Sequence, residues 1–416
     1  MAPTRFATDR PNVVLVFLDD MGYGDMGRMG GTVVATPNMD AVGAGGVTCR
    51  HMYAAAPVCT PSRAALLTGR YPQRVGLPRV LFPHDGQGLP AWERTLPELL
   101  RERGYRSGAY GKWHLGCRPE HNPVRHGFDE FFGLLYSNDM NPLHLFDGER
   151  EMAGVPDQAT LTRDYTDHAI DFIERHADEP FFCYLAHTMP HIPLHVEAEF
   201  RGRSAGGTYG DTLECIDFHL GRLLDHLTEL GLDEHTMVIV TSDNGPWFEG
   251  STGGLRGRKF ESWEGGVRMP FVARWAGQIP ADTYSDQPAC FIDLAPTLAR
   301  LAGASMPTDR PVDGVDIFGL LRGEPMPERA LYFLNGWVVN AVRQGRWKLH
   351  VDRFPEPNPR ELPQLFDLVG DPGESYNVAN LYPETVKQLA GLAADFHEQI
   401  DSQRAAAEGR AAGRSG

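Results

Sequence analysis

The chain has 416 residues, 42% of them hydrophobic and 23% charged. This excludes collagen-like, coiled-coil and low-complexity architectures and leaves a globular protein of two or three domains, or one large α/β domain with an appendage. With 55 Asp and Glu against 39 Lys and Arg the formal charge is −16, a surface that repels polyphosphate, so neither nucleic acid nor an anionic membrane is expected as a partner.

In chain order, Asn12 to Leu18 is a continuous apolar, largely β-branched run, the pattern of a strand buried on both faces of a parallel sheet. Its apolar part, Val13 to Leu18, is too short for a spanning helix or a signal-peptide core. Six cysteines (Cys49, Cys59, Cys117, Cys183, Cys215, Cys290) show no CxxC spacing. Mostly reduced, buried thiols and a cytoplasmic location are therefore expected. Thr95 with Glu98 forms a capping box that opens a helix, and Gly104 closes it. Strands are expected at Tyr105 to Tyr110, Phe181 to Ala186 and Met237 to Thr241. Leu213, Ile216, Leu220, Leu223, Leu224 and Leu227 share one helical stripe ended by Gly231, and Phe291 to Leu301 reads as a further helix. Strands alternating with helices imply a mostly parallel sheet covered on both faces.

From about Pro325 the pattern changes. Ala330 to Leu334, Trp337 to Val342 and Trp347 to Val351 read as short antiparallel strands, followed by a helix from Glu384 to about Gln403. The expected division is a catalytic α/β domain over residues 1–325, a C-terminal α+β subdomain over 326–403, and a disordered tail over 404–416.

Chemistry is expected beyond the carboxyl ends of the strands. The first strand ends in Asp19-Asp20, and the strand from Met237 ends in Asp243-Asn244-Gly245. Taken singly, Asp-Asp is a helix cap and Asp-Asn-Gly a turn. Together, three carboxylates and an amide are hard oxygen ligands suited to Ca²⁺, with Mg²⁺ the alternative. Cys59-Thr60-Pro61-Ser62-Arg63 puts Cys59 at a helix N-terminus, capped by Ser62 or Thr60, where free N–H groups favour an anion.

Cys59-x-Pro61-Ser62-Arg63 followed by Leu67-Thr68-Gly69 resembles the signature of the type I sulfatases, of the arylsulfatase A and N-acetylgalactosamine-6-sulfatase kind. The resemblance extends through Asn12 to Asp25, Gly111 to Gly116, Ser242 to Gly245, Lys259 with Glu264 to Pro270, and Leu365 to Leu368 with Asp371-Pro372. It implies an alkaline-phosphatase-like fold. It also implies that Cys59 is oxidised by a formylglycine-generating enzyme to Cα-formylglycine, whose hydrate is the nucleophile. A divalent ion would be held by Asp19, Asp20, Cys59, Asp243 and Asn244. Arg63, Lys112 and Lys259 would surround the sulfate, His114 would serve as base, and His191 or Lys259 as leaving-group acid. His191 falls where those relatives carry their active-site histidine, and His187 falls on a variable position, as a wall residue. Tyr136 to Asp139 resembles a pocket-lining segment.

Only four residues are lysine (112, 259, 348, 387). A chain that uses arginine almost everywhere nevertheless places Lys112 and Lys259 in these motifs, and lysine is the compact point charge that can also donate a proton. The expectation is a sulfuric ester hydrolase acting on a small-molecule or saccharide sulfate. The alternatives are a phosphonate or phosphate ester hydrolase of the same superfamily and a non-catalytic sulfated-glycan binder that keeps Cys59 as a thiol. The loops Leu77 to Leu89 and Asn138 to Pro156 are expected to rim the pocket.

Overall fold

The computed structural model describes residues 10–352 and 362–412, with side chains to Arg404. Among them, one sheet holds ten strands. Its order is β12 (Thr283–Ser285), β2 (Val47–Cys49), β11 (Phe271–Arg274), β9 (Thr236–Ser242) and β1 (Asn12–Leu18), then β8 (Phe181–Ala186), β4 (Arg106–Lys112), β5 (Glu130–Leu134), β6 (Leu145–Asp147) and β7 (Arg150–Glu151). The heart, β9-β1-β8-β4-β5, is parallel throughout. The antiparallel pairings lie outside it, at β11 and at β6 and β7.

The unbroken apolar run of β1 has its cause in this position. Val13, Leu15 and Phe17 enter the core on one face, and Val14, Val16 and Leu18 the core on the other. One face is covered by the helices Cys59–Thr68, Leu96–Arg101 and Leu294–Leu301, the other by Leu161–Arg175 and Gly207–Glu229. The Thr95–Glu98 capping box forms as expected, and Gly231 adopts φ 68 just past the long leucine-striped helix.

Several elements differ from expectation. The helix expected from Phe291 begins as a 3₁₀ turn, Phe291–Asp293, and becomes α-helical at Leu294. A small sheet of β3 (Met52–Tyr53), β10 (Arg268–Met269) and β13 (Ala289–Cys290) was not foreseen, since two-residue strands carry no periodicity. The C-terminal antiparallel sheet has four strands: β14 (Ala330–Asn335), β15 (Val338–Gln344), β16 (Trp347–His350) and β17 (Gln364–Asp367). The closing helix runs Pro383–Ala412, so the disorder expected from residue 404 does not hold up to 412. Residues 404–412 are rich in alanine, the strongest helix former, and 413–416 lie outside the described residues. All six cysteines are free, five of them buried. Among the described residues no helix is long and apolar enough to cross a membrane.

Candidate active site

The site grows from the carboxyl edge of β1 and β9. These strands pair in parallel with Leu18 opposite Ser242, so Asp19-Asp20 and Asp243-Asn244 emerge side by side. The Asp20 N–H donates to Asp243 Oδ1 (3.2 Å), Asn244 Nδ2 donates to Asp20 Oδ1 (2.6 Å), and Ser242 Oγ accepts from the Met21 N–H (2.8 Å). Glycine is required next: the Gly245 N–H bonds the Gly266 carbonyl, and a Cβ at 245 would sit 2.1 Å from the Gly265 carbonyl oxygen.

The helix Cys59–Thr68 points its N-terminus at this edge. Cys59 Sγ lies 3.5 Å from Asp19 Oδ1, and ligand atoms of Asp19, Asp20, Cys59 and Asp243 all fall within 4.8 Å of one another. The expected cap by Ser62 or Thr60 is absent; Val58 is the N-cap, without a side-chain bond. Those hydroxyls are used elsewhere. Ser62 Oγ donates to the Asp243 carbonyl (2.5 Å), and Thr60 Oγ1 donates to the His114 carbonyl (2.9 Å) while accepting from the Leu81 N–H (3.2 Å).

Three cations converge. Lys112 pairs with Asp19 and donates to Ser137 Oγ (3.1 Å). Lys259 donates to Asp20 Oδ2 (2.8 Å). Arg63 donates through Nε (3.1 Å) and Nη2 (2.8 Å) to Asp243 Oδ2, and through Nη1 to the Lys112 carbonyl (2.8 Å). Arg63 therefore braces the carboxylates from behind, a role that a bidentate guanidinium performs better than a lysine.

The histidines separate by position. His191 Nε2 stands 3.6 Å from Asp20 Oδ2, while its Nδ1 donates to the Ile192 carbonyl (2.5 Å). His187 is buried beside Tyr165, and neither ring nitrogen has a hydrogen-bond partner; burial lowers it to about 3. It lies outside the cluster. His114 Nε2 donates to the Leu81 carbonyl (3.0 Å), which leaves Nδ1 as a buried, unpartnered lone pair. Burial, and then Lys112, hold His114 well below the usual histidine range, so it is neutral.

Burial would raise Asp19, but the neighbouring cations, Lys112 first, outweigh it and hold Asp19 well below the carboxylate range. Burial and then the Asp19 charge push Asp243 up to about 7. Burial also raises the Cys59 thiol, against Lys112, so an unmodified thiol stays protonated and is a poor nucleophile. Crowded, buried carboxylates beside a buried Asn244 Oδ1 that has no partner are the donor set of a hard divalent cation. The residues fit one. Asp20 (φ 68), His114 (φ 60) and Phe260 (φ 74) are three of the five non-glycine residues with positive φ among the described residues, and backbone strain collects at functional sites.

Sequence reading missed several contributors. Leu81 and Thr60 hold the His114 loop through backbone atoms, which leave no residue-type signal. Lys348 is fully buried between Glu264 Oε1 (3.0 Å) and Glu374 Oε1 (3.2 Å), tying the C-terminal sheet to the Glu264-Gly265-Gly266 turn. Its rarity as a lysine was the available clue. A second cluster, Glu197, Cys215 and His219, also lies within 4.8 Å. Arg222 donates to His219 Nδ1 (2.9 Å), so Nε2 carries the proton bonded to Glu197 (2.7 Å). Both ring nitrogens are thereby used within the protein.

A helix N-terminus aimed at clustered oxygen donors and flanked by lysines, at the carboxyl edge of a parallel sheet, suits an enzyme that hydrolyses an oxyanionic ester. The sulfatase family model matches residues 11–304, and the chain belongs to that family. It is 39% identical to arylsulfatase A of Bos taurus, over 94% of this chain and 89% of that protein. It is 37% identical to N-acetylgalactosamine-6-sulfatase of Canis lupus familiaris, over 89% and 82%. Among solved structures, PsFucS1 sulfatase from Pseudoalteromonas sp. superposes with a TM-score of 0.85 at 28% identity, covering 95% of this chain and 91% of that one. The chain is a sulfatase with the alkaline-phosphatase-like fold expected from its sequence.

Proposed function

We propose that the chain hydrolyses aryl or carbohydrate sulfate monoesters using Cα-formylglycine formed from Cys59 together with a divalent cation, Ca²⁺ or Mg²⁺. The carrying observation is the convergence of Cys59, Asp19, Asp20 and Asp243 within 4.8 Å, flanked by Lys112 and Lys259. Asp19, Asp20, Asp243 and Asn244 would hold the cation through oxygen. Bound there, it supplies polarisation of a sulfate oxygen. A hydrated aldehyde at position 59 supplies an oxygen nucleophile and a second hydroxyl through which the aldehyde is restored.

The chain's own groups do the rest. Arg63, Lys112 and Lys259 balance Asp19, Asp20 and Asp243 one for one, so a divalent ion leaves two positive charges in excess. That local field attracts an anionic ester against the −16 background. Lys112 and Lys259 hold the ester oxygens as charge builds in the transition state. His114, neutral with Nδ1 free, accepts the proton of the second hydroxyl. The leaving oxygen takes its proton from His191 or Lys259, the two nitrogen groups that share Asp20. Maturation requires a formylglycine-generating enzyme as partner.

The test pairs aryl sulfates with matching aryl phosphonates. A higher kcat/KM on sulfate is expected, and a phosphonate preference would replace the reading with a phosphonate hydrolase. Peptide mass spectrometry across Cys59 and Thr60 of active protein should find the aldehyde; a thiol throughout would refute the mechanism.

A further inference from the structure

Beside the anion pocket lies aromatic surface that the cleavage chemistry does not use. Phe260 follows Lys259 in the chain and is 42% exposed. Its ring centroid lies 6.0 Å from Lys259 Nζ, which itself sits 2.8 Å from Asp20. Trp247 stands edge-on to it, centroids 6.0 Å apart at 82°. Phe248, 69% exposed, continues the row with its centroid 4.8 Å from that of Trp247. The three rings, each edge-to-face with the next at 82°, make a stepped shelf leading from the lysine toward solvent.

The shelf is held in place before any ligand arrives. Arg258 Nη1 donates to the carbonyls of Trp247 (2.8 Å) and Gly250 (2.9 Å), and its guanidinium packs 5.4 Å from the centroid of Phe248. Phe260 sits at φ 74, a conformation that a bulky residue rarely adopts. Its N–H donates to the Pro57 carbonyl (2.9 Å) and its carbonyl accepts from Asn335 Nδ2 (2.7 Å). Glycine would take this conformation without strain, so the position carries an exposed ring against its own backbone preference. Prearranged rings lose little freedom when a ligand stacks on them.

We infer that Phe260, Trp247 and Phe248 seat the organic half of the ester, and that this half presents a flat ring face, either an aryl group or the C–H face of a pyranose. The inference rests on the sulfate-ester reading above. Aromatic side chains stack on ring faces with the sulfate carried forward to Lys259; a flexible alkyl chain offers no such face.

The experiment measures kcat/KM of fully modified wild type, Phe260→Gly, Phe248→Ala and Phe260→Tyr with 4-nitrophenyl sulfate, glucose 6-sulfate and butyl sulfate. Phe260→Gly should lose about tenfold on a ring ester while butyl sulfate changes less than about twofold, and its Tm should equal or exceed wild type because the strain at 260 is relieved. Phe248→Ala, at an exposed position, should lose a smaller factor with the same selectivity, and Phe260→Tyr should restore activity. Loss confined to 4-nitrophenyl sulfate identifies an aryl occupant, and loss confined to glucose 6-sulfate a sugar; either supports the shelf. No loss, or an equal loss on butyl sulfate, overturns it while leaving the sulfatase reading intact. A wild-type preference for aryl phosphonate over the matching aryl sulfate overturns the sulfate-ester reading, and the shelf with it.

Discussion

Replacing Lys348 with methionine should destabilise the protein out of proportion to the change in size. Its ammonium is fully buried and shared between Glu264 (3.0 Å) and Glu374 (3.2 Å). Both carboxylates are otherwise committed: Glu264 Oε2 accepts from the Tyr53 hydroxyl (2.7 Å), and Glu374 Oε2 accepts from the Glu264 N–H (2.7 Å). Without the lysine, two buried acids face each other with less compensation. Breaking a buried pair by removing one partner costs about 3–5 kcal/mol. Urea unfolding at neutral pH measures this, and the Glu264→Gln/Lys348→Met double variant should recover part of the loss.

The same variant has an acid signature. Burial would raise Glu264, but Lys348, ahead of Arg268 and Arg343, draws its carboxyl down to about 2. An unfolded glutamate titrates at ~4.3, so the folded value is the lower one. The pair's stabilisation is therefore complete above ~4.3 and is lost as pH falls towards 2. In Lys348→Met the folded carboxyl titrates higher, and acid unfolding begins at a higher pH. A stability change below ~1 kcal/mol with an unmoved acid midpoint would show that Lys348 does not hold the two carboxylates together.

A chelator should lower both activity and Tm, because a cation held by Asp19, Asp20, Asp243 and Asn244 binds the folded chain and not the unfolded one; Ca²⁺ or Mg²⁺ should restore both, and an unchanged Tm on chelation counts against a cation there. His191→Ala should lower kcat by about 10²-fold or more. His187→Phe should keep its activity and lose little stability, since it removes a buried ring with two unpartnered nitrogens; a larger kcat loss in His187→Phe than in His191→Ala would reverse the assignment. Arg63→Lys should lower Tm as well as kcat, because an ammonium cannot replace the guanidinium's bonds to Asp243 and the Lys112 carbonyl. A wild-type Tm at full formylglycine content would show that Arg63 does not brace the carboxylates.

Local pattern determined a good deal of this protein. The run from Asn12 to Leu18 has to be a doubly buried strand because only a central parallel strand buries every side chain, and β1 feeds both cores. The Thr95–Glu98 box forms from residues three apart, and a helix does open at Cys59 as its segment suggests, though not through the cap expected there. Asp19-Asp20, Asp243-Asn244, Lys112, Lys259 and His191 were legible as candidates because each closes or follows a recognisable strand or motif.

Tertiary structure decided what no local pattern encodes. The pairing of Leu18 with Ser242 brings the two acidic pairs together, and that register belongs to the sheet rather than to either strand. The resemblance already favoured His191 over His187, but that the His191 ring meets Asp20 is a contact between two separate segments, which neither segment encodes alone. Ser62 and Thr60, suited by type to capping, bond across to Asp243 and His114 because the helix start packs against those carbonyls. Lys348 lies in a short strand whose alternation leaves its burial open, and its two partners come from distant segments. A charge can be buried only where folding brings opposite charge to meet it.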